Sequence, residues 1–219
     1  MTSDETHPVP AHRLAAEDAA DAVIEGWSRL FTYLVVAIEV AFTVVLPFFG
    51  LLLALAGASY LRAADAHSRR HGGGLLRALA GPLTAPLDLV RGVAGTLVTV
   101  PYAGAFAVLL PLAVMLGAAV DVEVSPLVGA AWGAGAAAYV LLAAPGIRTP
   151  RRHLMRVFTA FADDPRRIAV AGVLLCALAL GAVAGAIVLQ PSFGPMYELE
   201  NSIVQELSHF QHSVHRYAL

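Results

Sequence analysis

Lysine does not occur in this chain, and all 14 basic residues are arginine. Together with the abundance of Ala, Gly, Val and Leu, that absence reads as the codon bias of a GC-rich genome, such as that of an actinobacterium. Cysteine occurs once, at Cys176, which excludes an intrachain disulfide and a cysteine-rich metal site. Charge is scarce, at 14% of residues against about 25% in soluble domains. There is no nucleotide-binding glycine loop, since Gly72-Gly73-Gly74 follows no strand and lacks the required lysine. The first 29 residues are acidic and hold no apolar core, so no cleaved leader is expected and the first apolar stretch serves as the insertion signal.

What the chain has instead is long runs without charge. Glu39 is the only charge between Arg29 and Arg62, and none lies between Arg91 and Asp121, Glu123 and Arg148, or Arg167 and Glu198. Crossing a hydrocarbon core of about 30 Å takes roughly 20 helical residues, so four spans are expected, over about 40–61, 93–118, 126–147 and 168–190. The fold class is all-α and polytopic. An acidic, partly helical segment (1–29) precedes a four-helix transmembrane domain (30–196), and an amphipathic C-terminal helix (197–219) follows. Ser125-Pro126, Thr149-Pro150 and Asp164-Pro165 each place a capping side chain before a proline suited to a first helical turn.

Charge counting orients the spans. The segments 62–91 and 148–167 hold 11 of the 14 arginines, leaving Arg13, Arg29 and Arg216 for the other side. Arginines near span ends are retained in the cytoplasm. Both arginine segments are therefore expected inside and, with four spans, both termini outside the cytoplasm. The alternative breaks the first stretch at Pro47-Phe48-Phe49-Gly50 into a hairpin with the N-terminus inside. Its halves of about 14 to 17 residues fall at or below the minimum span, and the single crossing is preferred.

The two arginine segments resemble each other: Arg69-Arg70-His71 and, past the glycines, Leu75-Leu76-Arg77 match Arg151-Arg152-His153-Leu154-Met155-Arg156. That offset of about 80 residues is one two-span unit and points to a 2+2 repeat. In the second segment Leu154, Val157, Phe158 and Phe161 fall at helical spacing. Amphipathic cytoplasmic helices are expected, with Arg69, Arg70, Arg77, Arg151, Arg152 and Arg156 facing anionic lipid headgroups.

Few residues suggest chemistry. Glu39 is an intramembrane acid and so a candidate for proton or cation handling, although a span starting at residue 40 would leave it near the outer interface. Gly129/Gly133 and Gly181/Gly185 are GxxxG pairs that allow close helix packing or oligomer formation. Pro101 and Pro111 are expected to kink the second span. On the tail, Leu199, Ile203, Leu207, Phe210 and Val214 form an apolar docking stripe. Its opposite face carries Glu206, His209, His212 and His215, weak candidates for metal or pH sensing; no catalytic residue and no cofactor site is expected. The best-supported reading is a non-enzymatic accessory, scaffold or regulatory subunit of a cell-envelope complex, embedded in the cell membrane as a homo-oligomer or with a membrane-protein partner. Nucleic acid is not an expected partner. A small channel or transporter using Glu39 is the alternative, and a metal-dependent membrane enzyme a weaker one.

Overall fold

Backbone hydrogen bonds in hydrocarbon must close within the segment, which for a chain of apolar runs means helices. The computed structural model describes residues 11–71, 85–118, 125–143, 148–161, 165–195 and 205. Among the described residues there are seven helices and no strand: α1 (Ala11–Val45), α2 (Pro47–His71), α3 (Pro86–Leu97), α4 (Val100–Ala118), α5 (Pro126–Ala143), α6 (Arg148–Phe161) and α7 (Pro165–Val188). Four helical segments are long and apolar enough to cross a membrane: Ala22–Val45, Pro47–Arg70, Pro86–Ala113 and Arg166–Val188. The protein is a polytopic all-α membrane protein. A shorter apolar helix, Leu127–Ala143, lies among the four.

The first apolar stretch is two helices, which corrects the single crossing expected over 40–61. Pro47 has no N–H to donate, and inside a continuous helix its ring would clash with the carbonyl four residues back; it sits instead in the first turn of α2. A Cβ added at Gly50 would lie 2.4 Å from the Thr43 Cα, so only glycine lets α2 fold back this tightly on α1. Each half reaches full length by continuing into charged sequence, α1 backward past Arg29 and α2 forward through Arg70.

Contacts fix the directions of the remaining helices. Gly92 of α3 lies on Ser59 and Ala63 of α2, and Gly133 of α5 lies on Ala107 and Pro111 of α4, both as antiparallel neighbours. Helix α7 runs parallel to α1: Gly172 faces Phe31 near the start, and the Ser192 N–H donates to the Val45 carbonyl near the end (2.9 Å). The start of α1 and the end of α7 therefore lie at opposite ends of the bundle, which departs from the expectation that both termini share a side. The hairpin supplies two of the four candidate crossings. It also breaks the proposed 2+2 correspondence, since Arg69-Arg70-His71 end a long apolar helix while Arg151-Arg152-His153 belong to the short helix α6.

The interior is built from small residues. Helix α5 is central, and Ala131, Ala134, Ala137, Ala138, Val140 and Leu141 are all buried. Pro101 accounts for the interruption between α3 and α4, because it cannot donate to the Leu97 carbonyl. Pro111 is accommodated inside α4, where it leaves the Ala107 carbonyl without its helical donor. Gly133 covers that carbonyl: a Cβ there would be 2.3 Å from the Ala107 oxygen. By contrast, a Cβ at Gly181 meets nothing within 4 Å, and one at Gly185 meets only Leu189, just past the end of its own helix.

The two GxxxG pairs should accordingly respond differently to bulk. Gly133→Leu must push α4 and α5 apart, an overpacking cost of roughly 1–3 kcal/mol or more, whereas Gly181→Leu should leave the monomer's melting temperature in detergent unchanged. Equal melting of Gly133→Leu and the parent would refute this account of the α4–α5 contact.

Candidate polar site at the arginine end

The polar residues of the bundle gather where α2 ends, α3 and α7 begin and α6 lies. On α2, Arg62, Asp65 and Arg69 recur at three- and four-residue spacing and so share one helical face. Gly92 brings α3 directly onto α2, because a Cβ there would stand 2.3 Å from the Ser59 carbonyl oxygen. That approach places Asp88 of α3 within reach of the arginines of α2.

Two buried carboxylates organise the site. Asp88, 3% exposed, accepts from Arg70 Nη1 at 2.8 Å on Oδ1, lies 3.2 Å from His67 Nδ1 through Oδ2, and has Arg91 at 3.7 Å as an ionic neighbour. Asp65, 1% exposed, accepts on Oδ2 from Arg69 of its own helix. Its Oδ1 lies 3.4 Å from Arg156 Nη1 of α6, an ionic contact without hydrogen-bond geometry. Deeper in, Arg62 donates to the Gly95 carbonyl and, at 3.2 Å, to Thr99 Oγ1 of the α3–α4 junction. A carboxylate taken out of water is tolerated when it is paired and hydrogen-bonded in this way.

Helix α6 is held to the hairpin by a polar and an aromatic contact. Ser28 Oγ of α1 lies 3.0 Å from Thr159 Oγ1, and Phe158 meets Phe31 edge-on with centroids 5.4 Å apart. Its apolar residues Leu154, Val157 and Phe158 are partly buried, so α6 is packed against protein. His153 is fully buried, and neither ring nitrogen has a hydrogen-bond partner. Burial, and secondarily the positive charge of Arg156, push its pKa below the ordinary value, against a weaker upward pull from Asp65. The ring is therefore neutral at neutral pH.

The expected site residues distribute as follows. Arg69, Arg70 and Arg156 are engaged by the two carboxylates while staying about half exposed, and Arg152 is exposed. Arg77, the side chain of Arg151, and the tail residues Leu199, Ile203, Glu206, Leu207, His209, Phe210, His212, Val214 and His215 lie outside the described residues. Gly129 and Gly133 sit at the α4–α5 contact, and Gly181 and Gly185 do not meet another helix. Glu39 lies within the Ala22–Val45 span, not at its edge, and its Oε1 is buried without a hydrogen-bond partner. Among the described residues no three His, Cys, Asp or Glu side chains are grouped to hold a metal ion.

In the sequence Asp65 and Asp88 do not stand out among the arginines around them, and no role attaches to His67 or His153. The available signal was the one-face spacing of Arg62, Asp65 and Arg69, which argues that α2 continues beyond its apolar part. Nothing local marks His153, whose burial depends on where α6 docks. The chain matches no protein-family model, no curated protein and no solved structure.

Because docking of α6 depresses the pKa of His153, the undocked state binds the extra proton more readily. Docking is then at full strength above about pH 6.5, the ordinary histidine value, and weakens as pH falls below it, by up to about tenfold per pH unit until the docked histidine itself titrates. Hydrogen exchange of α6 amides between pH 7.5 and 5 should show increasing opening in the parent and a flat response in His153→Leu. A parent profile as flat as the variant's would remove His153 from this role.

Proposed function

We propose that this protein is a non-enzymatic subunit of a cell-envelope membrane complex, with an accessory or scaffolding role, and that its arginine end faces the cytoplasm. The observation that carries the reading is the unequal burial of the spans. The apolar windows of α1 and α2 are each 39% buried, whereas those of Pro86–Ala113 and Arg166–Val188 are only 11% buried. Lipid can cover any apolar surface, but it has no need of small residues. Helix α7 turns Ala177, Gly181 and Ala184 outward, and small residues are what allow another helix to approach closely. Two spans thus present surface to a partner helix while the interior is closed by alanine. The arginine segments and the positive-inside tendency support the orientation, which puts the start of α1 in the cytoplasm and the end of α7 outside.

Intact cells provide the test. A photocrosslinking residue at Ala177 should capture a protein, either a partner or a second copy, and Gly181→Leu should reduce that capture without lowering thermal stability. Adducts to lipid alone would defeat the subunit reading. In a Cys176→Ser background, an impermeant maleimide should label Ser192→Cys from outside and leave Thr159→Cys unlabelled; the reverse pattern would invert the orientation.

A second reading, a proton or cation pathway, draws on Glu39. On α1 it shares one helical face with Ser28, Thr32 and Thr43, at spacings of four, seven and four, and a carboxyl oxygen without a partner inside a span is costly unless it has a use. Against this reading, Val36, Ala54 and Ala58 close the interior around that level. If it holds, Glu39→Gln should abolish proton flux in proteoliposomes; parent vesicles no leakier than protein-free ones would end it.

A further inference from the structure

We infer that the Asp65 and Asp88 clusters are clamps for the phosphodiester groups of anionic phospholipid headgroups. The inference requires that the helices span a bilayer and is independent of the subunit reading. Each carboxylate is outnumbered. Arg70 and Arg91 face Asp88, and Arg69 and Arg156 face Asp65, so each cluster keeps an excess positive charge beyond what the ion pairs consume. The carboxylates are 1% and 4% exposed at the side chain, while the four arginines are 49% to 59% exposed. The negative charge is thus internal and the positive charge external.

That division has a geometric consequence. A guanidinium carries five N–H donors in a rigid planar fork, and contact with a buried carboxylate occupies one side of it. Donors on the other side face outward from a side chain whose freedom has already been spent in the ion pair. Such a fork matches a tetrahedral phosphate better than a freely rotating cation does. The placement suits the same ligand: Arg70 is the last residue of the Pro47–Arg70 span, which puts the clusters at the edge of the hydrocarbon, where headgroup phosphates lie. Basic pockets between transmembrane helices are a recurrent form of headgroup recognition. Three helices contribute to the clusters, so lipid bound here would also tie α6 and α3 to the end of α2.

The clamp and a diffuse basic surface make opposite predictions for one substitution. Asp88→Asn adds a unit of net positive charge, so diffuse attraction would bind anionic lipid more tightly. Loss of the internal anchor should instead weaken binding, by about fivefold if the loss is equivalent to one guanidinium near the surface. The experiment titrates the full chain in neutral detergent with phosphatidylglycerol or phosphatidylcholine and counts bound lipid by native mass spectrometry. Saturable binding of phosphatidylglycerol over phosphatidylcholine, weakened by Asp88→Asn, is expected. Binding strengthened by or indifferent to Asp88→Asn would overturn the clamp.

Should Asp88→Asn fail to melt like the parent, a pair of surface variants decides the question. Arg91→Gln and Arg152→Gln remove the same charge from exposed positions, but Arg152 lies outside both clusters. Only Arg91→Gln should weaken binding, and equal losses would overturn the proposal. Displacement of the lipid by millimolar inorganic phosphate would reassign the clusters to a soluble phosphate and overturn the lipid assignment, whereas retention of the lipid supports it.

Discussion

Ion pairing at two buried carboxylates determines how far the membrane helices extend. An unpaired carboxylate removed from water costs several kcal/mol, and an apolar span would normally stop before meeting one. Asp65 and Asp88 are instead surrounded by arginines of α2, α3 and α6, so α2 continues as helix through its charged end to His71. That extension turns half of an apolar stretch into a helix long enough to cross a membrane. It also gives α6 a surface to dock on, and it concentrates the polar chemistry of the described bundle at one end.

Across the membrane the packing follows a different logic. Lipid tails are as apolar as leucine, so helices gain little from hiding large apolar side chains from one another and more from close backbone approach. Ala54, Ala58, Ala131 and Ala138 are among the most deeply buried residues, while large residues such as Leu174, Leu178, Leu180 and Ile187 face outward. Pro111 and Gly133 are complementary, the proline freeing a carbonyl that the bare glycine covers. An interior closed in this manner favours a component that assembles with other helices over one that conducts along its own axis, and Glu39 is the exception that keeps the second reading alive.

The parts legible in the sequence were those decided locally. Pro126 and Pro165 open α5 and α7 because a proline in a first turn, behind a residue able to cap, needs nothing from the rest of the molecule. Absence of charge marked the membrane class. The turn at Pro47 is not the preferred reading of the sequence, because counting only uncharged residues makes each half too short; α2 gains its missing length from residues whose charges pair with other helices, and α1 from a stretch in which Glu25 and Arg29 pair with each other. Gly133 and Gly181 stand in the same small-residue pattern, yet one contacts a backbone carbonyl and the other contacts no other helix.

By itself, then, the sequence determined that this is an all-α membrane protein with arginine gathered on one side, because those properties follow from transfer of each residue into lipid or water independently of its neighbours. Tertiary structure alone decided which segments form the long apolar helices, the opposite placement of the start of α1 and the end of α7, the burial of His153, and the pairing of Asp65 and Asp88 with arginines of other helices. Each of these depends on which helix lies beside which. A charge costs or stabilises according to a partner that stands 18 or 91 residues away along the chain, as Asp88 stands from Arg70 and Asp65 from Arg156, and residue-by-residue hydrophobicity holds no record of that distance.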